Sequence, residues 1–212
     1  MIVHDMRSPL TGIMYGLDLA IDQVCDGDRE LMKMSRASAQ HLNNMITTLL
    51  DVSRLEEGRM PVKIEPHSID ILVQNVFDTF AGVVFEKKLS FRKPAYPVTV
   101  NCDSELTERV ITNLLSNAVK FTPSGGVILG MIEVTADSVS LHITNTGPGI
   151  PDDVRGHIFE KFAQADSTRT QNSSGLGLNF CKLAMEAQGG TIGFESEDEA
   201  GTTFFITFPE PV

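Results

Sequence analysis

The sequence predicts an α+β protein in two parts. The first is an N-terminal helical hairpin that pairs with a second copy into a dimeric four-helix bundle. The second is an α/β sandwich, a mixed sheet with helices on one face. Three observations predict this. Residues 1–57 repeat apolar side chains at spacings of three and four and carry no strand pattern. From residue 69 onward, helical and alternating stretches are interleaved. The second part also sets glycine and asparagine at positions that a plain core does not need. The expected boundaries are a hairpin over 1–57, a linker over 58–68 and the sandwich over 69–212.

The first helix rests on Leu10, Ile13, Met14, Leu17, Ala20, Ile21 and Val24, which share one face. "CDGD" (25–28) reads as a turn, with Asp28 placed to cap the next helix. A second stripe runs through Leu31, Met34, Ser38, His41 or Leu42, Met45, Leu49, Val52 and Leu55, near heptad spacing. One hairpin cannot cover both stripes, and dimerisation does so economically. Gly58 ends the second helix, and "GRMPVKIEPHS" is a linker carrying a short strand. Residues 69–88 follow as a helix with Ser68 as its N-cap. "SFRKPAYPVTVNCD" is strand material interrupted by prolines, and "SELTERVITNLLSNAVKF" (104–121) is an amphipathic helix. Next come a β-hairpin turning at Ala136-Asp137-Ser138, a Gly/Pro loop, a polar segment and a helix from Leu176 to Gln188. Strands around "TIGFES" and "TTFFITF" close the chain as a meander.

Composition narrows the partners. The 212 residues carry a formal net charge of −11, with 42% hydrophobic and 21% charged residues. Nucleic acid and anionic membrane surfaces demand clustered Lys and Arg, so neither is expected as a partner. An anionic small molecule can still bind where backbone N–H groups and a few cations converge. Cys25, Cys102 and Cys181 form no CxxC and read as reduced thiols, which fits a cytoplasmic location. There is no apolar run of membrane-spanning length and no signal peptide, so membrane contact from this segment is not expected.

Several stretches carry chemistry. "HDMRSPL" places His4, Asp5, Arg7, Ser8 and Pro9 together on a helix, where Pro9 costs about 3 kcal/mol or forces a kink. "TNLLSNAVKF" puts Asn113, Asn117 and Lys120 on one helix face, although mid-helix asparagine is mildly unfavourable. Gly147 and Gly149 in "NTGPGIP" let the backbone approach a ligand closely. "SSGLGLNF" sets Gly175, Leu176 and Gly177 at the start of a helix, where free N–H groups and the helix dipole favour an anion. Gly201-Thr202-Thr203 adds another glycine loop at a strand start, and no GxxxxGK[ST] is present.

Taken in order, "HDMRSPL", "NLLSNAVKFT", "NTGPGIP", "FEKF", "GLGL" and "GTTFFITF" resemble the boxes of the catalytic core of a two-component sensor histidine kinase. Each motif alone is weak, but the ordered set is specific and covers essentially the whole chain. The resemblance implies a dimerisation and phospho-acceptor hairpin followed by a Bergerat-type ATP-binding domain. His4 would accept the γ-phosphoryl group of ATP, with Asp5 orienting the imidazole. Ser8 would position water for dephosphorylating the partner, or be an ordinary helix serine. Asn117 would ligate Mg2+ through its amide oxygen, with Asn113 supporting it and Lys120 reaching phosphate. Gly147, Gly149 and Thr202 would line the nucleotide, and Gly175, Leu176 and Gly177 would face its phosphates. Residues 152–174, including Lys161 and Arg169, would form a lid. Phe159 and Phe162 would dock that lid or simply pack in the core. The implied activity is ATP-dependent autophosphorylation of His4, then transfer to an aspartate of a response regulator receiver domain. The implied state is a homodimer.

The chain departs from the family pattern in two places. Asn145 stands where the family usually has an aspartate that accepts from the adenine amino group. The neutral carbonyl gives up the charge-assisted part of that bond, worth on the order of ten-fold in affinity. Ser173-Ser174 replace a further glycine ahead of "GLGL", which implies either a stiffer lid hinge or serine hydroxyls that act as donors there. The alternative reading is therefore a phosphotransfer or docking protein whose ATP domain no longer binds nucleotide. A chaperone- or topoisomerase-type ATPase leaves residues 1–57 without a purpose. The family's first helix usually extends further ahead of its histidine, so the resemblance implies either an excised core or a protein whose bundle is completed otherwise.

Overall fold

A computed structural model describes residues 2–21, 26–82, 88–92, 97–163, 174–197 and 201–209. Contacts divide the chain into two units, residues 1–54 and 55–212.

The first unit is the helical hairpin. Helix α1 spans Ile2–Ile21 and continues through Pro9. Helix α2 spans Asp26–Glu56. Asp26–Asp28 are therefore helical rather than part of a turn, and Asp28 lies in the first turn of α2 instead of capping it. An acidic residue in the first turn, here Asp28, suits the positive end of the helix dipole, which favours starting the helix early. Arg29 Nε donates to the Ile21 carbonyl at 3.2 Å and satisfies an acceptor that the end of α1 leaves open. Arg36 and Asp18 form an ion pair across the hairpin. Leu10 and Ala39 are buried, but Ile13, Leu19, Leu31, Met34, Leu42 and Leu49 are exposed in a single copy. That is more apolar surface than a lone hairpin hides.

The second unit begins with strand β1 (Glu65–Ser68), paired antiparallel with β3 (Thr99–Cys102). Helix α3 spans Ile69–Ala81, with Gly82 at its C-cap in the right-handed region; of the expected 69–88 helix, residues 83–87 lie outside the described residues and Lys88 is already in a strand. Ser68 does sit at the N-cap, but its hydroxyl donates to Asp70 Oδ1 at 2.6 Å and makes no capping bond. Strand β2 (Lys88–Arg92) follows. Helix α4 spans Ser104–Phe121, the range its periodicity predicts. Asp103 caps it. Its Oδ1 accepts from Leu106 N–H at 3.0 Å, and its Oδ2 accepts from Lys63 N–H at 2.9 Å.

Strands β4 (Val127–Val134) and β5 (Ser138–Asn145) form the expected hairpin. After the short α5 (Asp152–Arg155) come α6 (Gly177–Glu186), β6 (Thr191–Glu197) and β7 (Gly201–Pro209). The sheet order is β2-β4-β5-β7-β6, with β2 and β4 parallel and the remaining pairs antiparallel. The closing strands are thus not a simple meander. β6 and β7 form a hairpin, but β7 lies beside β5 and β6 takes the edge. Burial explains the order. β7 brings buried Phe204, Ile206 and Phe208 to the face that carries Val139, Leu141 and Ile143 of β5, whereas no residue of β6 is fully buried. A half-exposed strand suits an edge. Helices α4 and α6 pack Val110, Ile111, Leu114, Leu115, Phe180 and Ala184 into this core. The opposite sheet face, with Ser140, His142 and Thr144, stays half-exposed.

Candidate functional site

The ends of four elements meet at one edge of the sandwich. Helix α4 contributes the first. Leu106, Val110, Leu114 and Ala118 turn into the core, which leaves Asn113, Asn117 and Lys120 half-buried on the adjoining face. Lys120 Nζ is shut off from water and has no hydrogen-bond partner among the described residues. It lies 5.2 Å from the centre of the Phe121 ring. Burial lowers its pKa from the ordinary lysine value. A buried ammonium without an acceptor is unfavourable unless an anion is supplied from elsewhere.

The second contribution is the end of β5 and the loop after it. Asn145 is buried, and its Nδ2 makes one long contact of 3.5 Å with the Thr146 carbonyl. At that distance the amide is only weakly engaged. Gly147 lies so close to the end of α4 that a Cβ on it would stand 2.5 Å from the Phe121 carbonyl oxygen and 3.2 Å from Asn145 Nδ2. Gly149 is half-buried in the same loop. The third contribution is the start of β7, where Thr202 is buried opposite Asn145 in register and shares a 2.9 Å hydrogen bond with Ser196. Gly201 has φ +102°, and a Cβ there would lie 2.1 Å from the Asn145 carbonyl oxygen, so no side chain fits.

The fourth contribution is the start of α6. A Cβ on Gly177 would lie 3.4 Å from Asn113 Oδ1, which places the opening turn of α6 against the polar face of α4. Among the described residues no side chain caps this turn and no acidic residue stands in it, which leaves an open donor end. The Leu176 side chain is core, which limits its part in the site to its backbone. The Leu176 N–H is taken at 3.3 Å by Ser174 Oγ, so Ser174 accepts here rather than donates. Gly175 has φ +66°, and a Cβ on it would meet Phe162 Cα at 2.6 Å. Its glycine is needed to admit the 159–162 backbone.

Other expected residues lie apart from this cluster or outside it. Lys161 forms an ion pair with Glu56 at 2.7 Å, so its charge is already matched. Arg169 and Ser173 lie outside the described residues. His4, Asp5 and Ser8 belong to the backbone of α1, in the other unit, and their side chains lie outside the described residues. Phe159 packs against Phe194, with ring centres 6.0 Å apart, while Phe162 is 60% exposed. His142 stacks on Phe205 at 5.6 Å, and His67 Nε2 lies 4.0 Å from Glu65 Oε2. Sequence reasoning also missed Asn179. It is buried in the first turn of α6, and its Nδ2 donates to the Phe159 carbonyl at 2.9 Å. The signal that could have found it is the one used for Asn113 and Asn117, an asparagine inside a helix, where that residue is mildly unfavourable.

Comparison with known proteins places this arrangement. The family described as "Histidine kinase-, DNA gyrase B-, and HSP90-like ATPase" matches residues 102–212, and "His Kinase A (phospho-acceptor) domain" matches residues 1–58. The chain is 33% identical over 219 residues to "Hybrid signal transduction histidine kinase D" of Dictyostelium discoideum, covering 98% of this chain and 14% of that protein. It is 33% identical over 221 residues to "Adaptive-response sensory kinase SasA" of Rippkaea orientalis, covering 99% of this chain and 56% of that one. The chain therefore spans little more than half of one relative and a seventh of the other. Among solved structures, full-length ShkA in complex with AMPPNP superimposes with a TM-score of 0.81 at 25% identity, over 100% of this chain and 45% of that one. The chain belongs to the family of histidine kinase-, DNA gyrase B- and HSP90-like ATPases and, with the phospho-acceptor helices ahead of that domain, forms the catalytic core of a sensor histidine kinase.

Proposed function

We propose that the chain is an ATP-dependent protein histidine kinase that phosphorylates its own His4 and passes the phosphoryl group to an aspartate of a response regulator receiver domain. The observation that carries the nucleotide part is Lys120, whose ammonium is buried beside the asparagine face of α4 without an acceptor. A triphosphate supplies that acceptor. The uncapped N–H groups opening α6 then face the same anion from the other side. Asn145, with Thr202 beside it in register, would hold the adenine end through its amide carbonyl. The ShkA complex with a nucleotide analogue supports this reading by likeness.

The residues fit a cation that arrives with the nucleotide better than a resident one. Among the described residues no group of three or more His, Cys, Asp or Glu side chains could hold a metal. Asn117 offers one neutral oxygen, which suits a Mg2+ ion that takes its other ligands from phosphate and water. When bound, that ion neutralises charge on the phosphate oxygens. Phosphoryl transfer needs mainly positioning and electrostatics, and the chain's own groups would supply these: Lys120, the turn at Gly177, and a His4 imidazole whose reactive nitrogen Asp5 would leave free by holding the other ring N–H.

The apolar residues left exposed on α1 and α2 fit a homodimer, in which a second hairpin covers Leu31, Met34, Leu42 and Leu49. No helix among the described residues is long and apolar enough to cross a membrane. The test of the nucleotide reading is calorimetric titration of the full chain with a non-hydrolysable ATP analogue and Mg2+. Saturable binding is expected. No binding at millimolar nucleotide would favour a phosphotransfer or docking protein instead.

A further inference from the structure

We propose that Asn179 is a positioning residue for phosphoryl transfer: its side-chain amide clamps the 159–162 segment to the turn of α6 that faces the phosphates. The proposal rests on the nucleotide reading above and assigns a role that the resemblance does not supply.

Two hydrogen bonds and one close approach join these segments. Asn179 Nδ2 donates to the Phe159 carbonyl at 2.9 Å, and Phe162 N–H donates to the Gly175 carbonyl at 2.9 Å. Between these bonds, Phe162 has φ +62°, an uncommon conformation for a side chain of its bulk. Phe162 Cα would also stand 2.6 Å from a Cβ on Gly175, so the two backbones are in van der Waals contact. On its far side the segment is held by the Phe159 ring against Phe194, which in turn lies 6.1 Å from Phe204 of β7. Any shift of residues 159–162 is therefore transmitted to Gly175, two residues before Gly177, and Gly177 lies against Asn113.

The acceptor half of Asn179 points to the same conclusion. Asn179 is 8% exposed, and its Oδ1 is buried with no hydrogen-bond partner among the described residues. Native interiors rarely leave such an acceptor dry. Here one end makes a single bond to a backbone carbonyl, and the other carries an unrelieved desolvation cost. The net effect is to fix a position rather than to add stability.

The test separates positioning from folding and from the nucleotide reading itself. Asn179→Asp keeps the shape but presents oxygen to the Phe159 carbonyl, which opens the clamp. Asn179→Ser is too short to reach that carbonyl and serves where the Asp variant does not fold. Asn179→Gln retains the amide donor. Phosphorylation of His4 is followed against ATP concentration for each variant in the full chain, alongside nucleotide-free thermal unfolding. The rate at saturating ATP should fall about ten-fold or more in the Asp or Ser variant, the scale of one lost positioning bond. Asn179→Gln should regain part of it, and the unfolding temperature of the uncharged Ser and Gln variants should move little, whereas Asn179→Asp also buries a charge and is read only against its own unfolding temperature. A variant that raises KM but leaves the saturating rate unchanged overturns the proposal, because it has lost only uniform binding. A rate loss that scales with loss of stability overturns it as well. Wild-type protein that neither binds nor uses ATP sinks the nucleotide reading, and this proposal with it.

Discussion

Lys120 gives the account a perturbation whose two effects have opposite signs. Lys120→Met keeps the apolar stem and removes the ammonium that is buried without an acceptor. Leaving a buried polar group unsatisfied costs about 1–3 kcal/mol, and a charge costs more. Relieving that cost should stabilise the nucleotide-free protein by at least about 1 kcal/mol, or about 2–4 °C in unfolding temperature for a chain of this size. The same change removes a charged hydrogen bond to phosphate, worth about 1.5–3 kcal/mol, so nucleotide affinity should fall by about ten- to one hundred-fold. Thermal unfolding without ligand and calorimetry with an ATP analogue read the two effects separately. The pH dependence follows from the same burial. The folded pKa lies below the unfolded value of 10.5, so stability is lost as pH falls from there through the folded pKa, and the cost is then in full force. Bound phosphate raises the pKa again, so affinity should decline as pH rises, beginning below the ordinary lysine range. A Met variant that is less stable, or that binds nucleotide as well as wild type, refutes the reasoning.

Other changes probe the remaining parts of the site. Asn145→Asp converts a neutral acceptor into a charged one at a buried position, so adenine nucleotides should bind about five-fold tighter by calorimetry, a gain of about 1 kcal/mol. Unchanged affinity would remove Asn145 from base recognition. Asn117→Ala should collapse the rate of phosphoryl transfer while affinity for adenosine, competed against a fluorescent nucleotide, stays near wild type. Parallel losses would place Asn117 elsewhere in the site. Leu49→Asp puts a charge into the exposed stripe of α2, and light scattering should report monomers; a persistent dimer would locate the interface on another surface.

The legibility of this chain varied with the range of the interactions involved. Helix α4 was readable end to end because its periodicity, its cap region and the Pro123 that follows agree. The site face was readable for the same reason, since Asn113, Asn117 and Lys120 are related by local helix geometry alone. What failed depended on distant partners. The order β5-β7-β6 follows from which strand best completes the inner face, and no local pattern encodes that. Lys161 reads as a free cation until folding brings Glu56 to it. Gly175 reads as a phosphate-loop glycine, whereas folding gives it the further task of admitting the Phe162 backbone.

The central claim is that His4 receives the γ-phosphoryl group of ATP, and one measurement tests it most directly. The full chain is incubated with γ-labelled ATP and Mg2+, wild type beside His4→Ala, and the label is mapped and challenged with acid. Label is expected on His4 in wild type, lost on acid treatment as a phosphoramidate should be, with no label in the variant. Acid-stable label, or label that survives His4→Ala, would contradict it.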